Sequence, residues 1–338
     1  MLKARRLRGA LVAVLPFAWL LLVLPGCAAV SIPPPPQADP LSAWNSGAAK
    51  SAILEFVARV TDASGPDYVA PEERIAVFDN DGTLMVERPT IVQFEFLYRR
   101  IRDLAPEHPE WTGVEPFRSV LQNDRKALSA MGFAERGRIV AEGQADMYHA
   151  DFAAAAREFL ATARHPRFGA RFTDLVYRPM LELIAYLQAN RFRVFVVSGG
   201  GVEFIRRYSE PVYGVPRENV IGSSMQTELR ERDGRLEVYR VPGIGSVNAG
   251  RKKPLNIQLH IGRRPIFAVG NSDSDLDMMR FADDGPGASL IMLLEHDDAE
   301  REYVYTRGVR RARAAVRQRG WQAVSMRDDF RTVFRAGN

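Results

Sequence analysis

Residues 74–84 read Arg74-Ile75-Ala76-Val77-Phe78-Asp79-Asn80-Asp81-Gly82-Thr83-Leu84. A short apolar, β-rich run is cut off by two carboxylates two positions apart, and such groups at the end of a buried strand are costly unless they are paired or hold a cation. Gly82 then allows the sharp turn that brings the backbone round. Two more apolar runs end in the same abrupt way. Residues 192–197 stop at Ser198-Gly199-Gly200-Gly201, and residues 266–269 stop at Gly270-Asn271-Ser272-Asp273, with Asp275 and Asp277 following. Further short strands are expected at 220–221, 236–239, 289–294 and, at a sheet edge, 321–326. Helical spacing marks 51–60, 91–104, 151–164, 178–190 and 254–261, with a further helix expected at 202–208. Alternating strands and helices predict an α/β fold with a doubly wound, Rossmann-like parallel sheet, whose sites lie outside the C-terminal strand ends.

The polar clusters fall at those ends. Asp79, Asp81, Asn271, Asp273, Asp275 and Asp277 offer oxygen without His or Cys, a donor set that suits Mg²⁺ rather than zinc. Ser198 and the glycines after it offer a hydroxyl and backbone N–H groups, which cradle phosphate oxygens. Arg251-Lys252-Lys253-Pro254 brings positive charge for an anionic substrate. Other chemistries find little support. Gly245 to Lys252 nearly spells a phosphate-binding P-loop, but Arg251 stands at its Lys position and Lys252 at its Ser/Thr position. No Gly-x-Ser-x-Gly occurs, and His108, His149, His165, His260 and His296 share no ligand spacing. The arginines from Arg307 to Arg319 read as a solvated helix rather than a lipid-binding face.

Together these clusters resemble, in order and in position on strand ends, the four motifs of the haloacid dehalogenase superfamily, and within it the phosphoserine-phosphatase-like hydrolases. The resemblance covers roughly residues 72–295. It implies Asp79 as nucleophile and Asp81 as general acid and base, with the Asp81 carbonyl also on the metal. It implies Ser198 as the phosphoryl-binding hydroxyl, with Gly199 beside it, and a Lys bridging nucleophile and phosphate: Lys253, or its rival Lys252. The fourth motif holds Mg²⁺ and lands on Asn271 and Asp275, so that Asp79, Asp81, Asn271 and Asp275 form the expected metal set. Asn271 departs from the commoner Asp. Its missing charge predicts a weaker hold on the cation, unless Asp273 shares the role. The implied activity is Mg²⁺-dependent hydrolysis of a small phosphorylated substrate through an aspartyl-phosphate. The alternatives are a catalytically weak binding or scaffold protein on the same fold, and a phosphotransferase or dehalogenase using the same Asp79. In this superfamily a cap inserted between the first and second motifs selects the substrate, and by position the helical stretch 90–172 is that cap, on a core of 46–89 and 173–338.

The chain of 338 residues carries 46 Lys and Arg against 41 Asp and Glu, a net +5, of which Lys3, Arg5, Arg6 and Arg8 supply four. The near-neutral remainder argues against nucleic-acid binding, which needs a basic face. After those four charges comes an apolar run over 10–24, short of the ~20 residues a spanning helix needs, and then Leu24-Pro25-Gly26-Cys27. This resembles the bacterial lipoprotein signal over 1–26, and Cys27, the sole cysteine, is the expected lipidation site. Pro33-Pro34-Pro35-Pro36 adopts an extended polyproline conformation and reads as a tether spanning 27–45. The expected setting is the bacterial cell envelope, membrane-anchored through the N-terminal lipid and facing the periplasm. Ala28 after the Cys favours the outer membrane.

Overall fold

The four residues of strand β1 (Ile75–Phe78) have no solvent exposure on either face, as befits the centre of a parallel sheet covered on both sides. The computed structural model of the protein describes residues 39–335, so Cys27 and the expected signal lie outside the described residues. The remaining strands are β2 (Met147–Tyr148), β3 (Arg193–Gly201), β4 (Val220–Arg232), β5 (Arg235–Ser246), β6 (Phe267–Gly270), β7 (Leu290–Glu295) and β8 (Gln322–Ser325). They form one sheet in the order β2-β5-β4-β3-β1-β6-β7-β8. From β4 to β8 the pairing is parallel, while β5 joins β4 and β2 joins β5 antiparallel. The expected α/β fold with a doubly wound parallel core is therefore present, with β8 on its edge.

Alternation along β1 feeds two cores. Ala76 and Phe78 join the larger cluster, with Ile53, Phe56 and Val57 of the helix Ala48–Thr61 and Leu183, Ile184 and Leu187 of the helix Arg178–Ala189. Ile75 and Val77 face the other way, onto Ile257, Met278, Met279 and Ala312. The helix Arg310–Arg319 buries Ala312 and Ala315, and its arginines are not simply solvated: Arg313 reaches Glu295 at 2.7 Å and Arg319 reaches Asp283 at 2.7 Å. Among the described residues no helix is long and apolar enough to cross a membrane.

Register sets the site. Phe78 stands beside Val196 of β3 and Val269 of β6, so the residues after all three strands emerge along one edge. Between β1 and β3 lie the helices Val92–Leu104, Phe117–Leu121, Arg125–Ala130, Phe133–Gln144 and His149–Thr162. They dock on the parallel core through Phe96, whose ring is 5.3 Å from that of Phe204 and 5.7 Å from that of Phe152.

Three local expectations change. The strands expected at 220–221 and 236–239 are the visible ends of one long hairpin, β4–β5. Its outer half, with Glu228, Leu229, Arg230 and Glu231 all exposed, lacks the alternation of a half-buried strand. It is tied instead to the inserted helices, because Arg240 donates to the Gln144 carbonyl at 3.0 Å and to Gln144 Oε1 at 2.9 Å. The helix expected at 202–208 is only Val202–Ile205, followed by turns. The tether expected to reach residue 45 ends sooner: Leu41 and Trp44 are fully buried, and Trp44 donates to the Pro179 carbonyl at 2.9 Å and meets Phe330 edge-on at 5.2 Å.

Because Trp44 joins the start of the folded body to its C-terminal segment, Trp44→Ala is expected to cost about 3–5 kcal/mol of stability, the usual range for emptying a large buried aromatic site. Denaturant unfolding monitored by circular dichroism measures this, and a loss under about 1 kcal/mol would mean that the body begins after residue 44.

Candidate active site

The loop after β1 is shaped by one carbonyl and one glycine. The Asn80 carbonyl accepts from the N–H groups of Thr83, Leu84 and Met85 at 3.2, 2.8 and 3.3 Å, and Gly82, at φ +76°, donates to the Met85 carbonyl at 2.8 Å. A side chain at Gly82 would suffer both from that φ and from contact, since a Cβ there would fall 2.0 Å from Asn271 Nδ2. The buried Asn80 amide donates to Tyr208 Oη at 3.1 Å and accepts from Tyr213 Oη at 2.9 Å. His296 Nε2 donates to the Gly82 carbonyl at 2.8 Å, and its Nδ1 lies 3.1 Å from Glu302 Oε2. With its neighbours fastened, the loop holds Asp79 buried and Asp81 half-buried.

Lys253, near the start of the helix Lys252–Ile261, is 1% exposed, and its Nζ donates to Asp79 Oδ1 at 2.6 Å and to Asp275 Oδ1 at 2.7 Å. Lys252 is exposed, so of the two lysines it is Lys253 that reaches this cluster. Burial by itself would lower the pKa of Lys253, but the carboxylates of Asp275 and Asp79 outweigh it and hold the ammonium above its ordinary range. Burial and then the charge of Asp275 push Asp79 upward, against the pull of Lys253. Asp81 is pushed up to about 7, first by burial and then by the charge of Glu87.

After β6, Asp275 is fully buried and doubly engaged. Its Oδ1 takes Lys253, and its Oδ2 accepts from the backbone of Asn271 at 3.1 Å, from that of Ser272 at 3.0 Å, and from Ser272 Oγ at 2.9 Å. Asp273, the alternative fourth-motif ligand, turns away: its Oδ1 accepts from the Ala312 N–H at 2.8 Å, in the first turn of the helix Arg310–Arg319. Asn271 remains at the site, with Nδ2 donating to Glu87 Oε1 at 3.2 Å. At the end of β3 the fully buried Ser198 accepts from the Gly200 N–H at 3.0 Å, while its carbonyl accepts from Asn248 Nδ2 at 2.9 Å.

A cavity of about 730 Å³ opens over these groups, with Asp79, Asp81, Ser198, Gly199 and Asn271 among its lining residues. Phe94 and Val140 line it from the inserted helices, and Met225, Val238 and Ile244 from the hairpin. The structure thus brings together Asp79, Asp81, Ser198, Gly199, Lys253, Asn271 and Asp275, and leaves out Lys252 and Asp273. Sequence reasoning missed Glu87, His296 and Asn248. No motif marks them: Glu87 enters because the turn at Gly82 doubles the chain back, and His296 and Asn248 come from segments remote in sequence.

Among the described residues, no three His, Cys, Asp or Glu side chains gather closely enough to make a ready metal cage. The donors nonetheless suit a hard cation. Oδ1 of Asp81 is buried without any hydrogen-bond partner, an unsatisfied oxygen that either a cation or a proton in transfer would satisfy. Asp79 and the Asn271 amide line the same cavity and add further oxygen.

No curated protein matches this chain. Among solved structures, a conserved, functionally unknown protein from Anaerococcus prevotii DSM 20548 is similar at 12% identity and a TM-score of 0.53, over 84% of this chain and 94% of that one. A protein of unknown function from Bordetella pertussis Tohama I shares 15% identity at a TM-score of 0.46, over 75% and 98%. A probable phosphoserine phosphatase from Vibrio cholerae shares 18% at a TM-score of 0.37, over 76% and 70%. The first of these likenesses speaks to the fold alone. A family model for haloacid dehalogenase-like hydrolases matches residues 76–280, a span that holds all of β1 but Ile75, the inserted helices, the hairpin and every residue of the cluster from Asp79 to Asp275. The chain belongs to the haloacid dehalogenase-like hydrolases.

Proposed function

We propose that the protein is a Mg²⁺-dependent phosphomonoesterase that works through an aspartyl-phosphate on Asp79 and is tethered in the bacterial cell envelope. One observation carries the chemistry: a buried lysine bonded to Asp79, with a second, half-buried acid, Asp81, in the same cavity and a pKa near 7. Lys253 takes Oδ1 of Asp79, fixing that carboxylate and leaving Oδ2 to attack phosphorus. The new Asp79–phosphorus bond forms as the ester oxygen–phosphorus bond breaks, and Asp81 gives its proton to the departing alkoxide. Water then attacks the phosphorus, Asp81 takes its proton, and the bond to Asp79 breaks to release phosphate. The Ser198 hydroxyl and the Gly199 N–H hold the phosphoryl oxygens, and Lys253 offsets their charge. Asp79, the Asp81 backbone carbonyl and Asn271 would hold Mg²⁺, with Asp275 holding the loop behind them, and the cation would supply Lewis-acid stabilisation of charge on the phosphoryl group.

An acid with a pKa near 7 is still substantially protonated at neutral pH and is poised to give a proton to an alkoxide. A halide leaving group needs none, so Asp81 favours phosphoester chemistry over dehalogenation. The cavity argues about the substrate. Its 730 Å³ exceeds the volume of a small amino-acid phosphate, and Phe94, Val140, Met225, Val238 and Ile244 give apolar walls. We take the inserted helices together with the β4–β5 hairpin as the cap, and the leaving group as a bulky, largely apolar alcohol or phenol.

Asp79→Asn is expected to abolish phosphatase activity, by at least about a thousandfold in kcat, while the circular dichroism spectrum is kept. Phosphate trapped on any other residue overturns the assignment of the nucleophile. A panel of phosphomonoesters with Mg²⁺ tests the substrate. Since each buried methylene is worth about 0.8 kcal/mol, kcat/KM for a naphthyl phosphate should exceed that for glycerol phosphate by at least about tenfold, and the reverse order would sink the apolar reading. The tether rests on the signal-like segment before Cys27. Metabolic labelling with a fatty acid should mark the wild-type protein and not Cys27→Ala, because one acyl chain on a lone cysteine is the anchor available there. An unlabelled wild type ends that part of the proposal.

A further inference from the structure

Asn271 occupies the place at which the family more often has Asp, and a neutral amide there poses two problems. It lacks a charge, and its two ends are nearly the same size, so nothing intrinsic turns its oxygen rather than its nitrogen toward a cation. Both problems meet one residue. Glu87 is in the same cavity as Asp79, Asp81 and Asn271, and its Oε1 lies 3.2 Å from Asn271 Nδ2. A carboxylate oxygen accepts from the amide nitrogen and repels the amide oxygen, and at the other end the Thr83 hydroxyl makes only a long contact with Oδ1, at 3.5 Å, so the Glu87 bond sets the orientation. The two side chains pack over the bare face of Gly82, where a Cβ would come within 2.0 Å of Asn271 Nδ2 and 2.8 Å of the Glu87 carboxyl carbon. The other acids nearby are committed: Asp275 to Lys253 and to the backbone that follows β6, and Asp273 to the Ala312 N–H.

We infer that Glu87 is a positioning residue for the cation. Its carboxylate holds the Asn271 amide with Oδ1 as the end left for the metal, and it restores, one bond further out, the negative charge that the amide lacks. Partners of this kind, behind the direct ligands, typically set metal affinity through orientation and charge. The inference rests on the Mg²⁺ function proposed above. It also reverses a simple expectation, that Asn271→Asp should tighten the site. With Glu87 in place, that substitution would set two carboxylates face to face at hydrogen-bond distance.

Isothermal titration of Mg²⁺ into the full chain, without substrate, tests this apart from turnover. Glu87→Gln keeps the size and an acceptor oxygen and removes only the charge. It should raise the Mg²⁺ Kd roughly 10- to 100-fold, while the melting temperature in EDTA stays at or above that of the wild type. Asn271→Asp alone should not lower the Kd. The double variant Glu87→Gln with Asn271→Asp, in which the introduced Gln donates to the introduced Asp and the charge count is restored, should return to within about threefold of the wild-type Kd, a non-additive result that marks direct coupling. A wild type that binds Mg²⁺ and a Glu87→Gln that binds it equally well overturns this inference alone, as does a double variant no better than Glu87→Gln. A wild type that shows no Mg²⁺ binding overturns the metal function and this inference with it.

Discussion

Lys253 keeps its ammonium out of water, 2.6 Å from Asp79 and 2.7 Å from Asp275, and the arrangement around it follows from that burial. An isolated charge in the interior would be prohibitively costly. Two carboxylates around one ammonium share the cost, and in doing so they tie the end of β1, the loop after β6 and the start of the helix Lys252–Ile261 to a single point. Removing Lys253 would leave two buried carboxylates without a counter-charge, a loss that in other proteins typically costs about 3–5 kcal/mol, whereas neutralising Asp79 still leaves the ammonium paired with Asp275. The same triad fixes the position of Asp79 without using both of its oxygens, so the constraint that holds the fold at this edge also leaves one oxygen for the nucleophilic role proposed for Asp79.

Support for the triad is polar and layered. Asp275 could not receive Lys253 if it were free to rotate, and the N–H groups of Asn271 and Ser272 on its other oxygen prevent that. The loop bearing Asp81 is held from below by His296, which is itself fastened by Glu302, and Glu302 also accepts from Tyr177 Oη at 3.0 Å. Asn80, between the two acids in sequence, points into a pair of tyrosines. Each of these groups is buried and partnered, as a low-dielectric interior demands. Against that background Oδ1 of Asp81, buried and unpartnered, is the exception, and it belongs to a residue that lines the cavity.

Above this polar floor the chemistry changes. The inserted helices reach the core through the Phe96–Phe204 packing, and the β4–β5 hairpin leans on those helices through Arg240 and Gln144 and on β2 through Tyr239 against Tyr148 at 5.1 Å. The enclosed space is therefore roofed by two segments far apart in sequence, one entering between β1 and β3 and the other between β4 and β5, over a floor built from strand ends. Polar floor and apolar walls thus come from different layers of the molecule, joined by side chains such as Gln93, which accepts from the Gly201 N–H at 2.7 Å.

The parallel α/β core and the cluster from Asp79 to Asp275 were legible in the chain alone, because both are local signals. An unbroken apolar run such as Ile75-Ala76-Val77-Phe78 must be a buried strand, and polar residues that follow such a strand at once must lie on the sheet's edge. What depends on distance through space came from the folded molecule. Packing selected Lys253 over Lys252, since adjacent residues on a helix point to different sides. It turned Asp273 toward the N–H groups of a following helix and brought Glu87 to Asn271 around the glycine turn. It also produced a hairpin whose exposed outer half has no hydrophobic period to betray it. Side-chain direction, loop reversal and packing between remote segments leave no fixed spacing in a chain, and for that reason the motifs were legible while their supports were not.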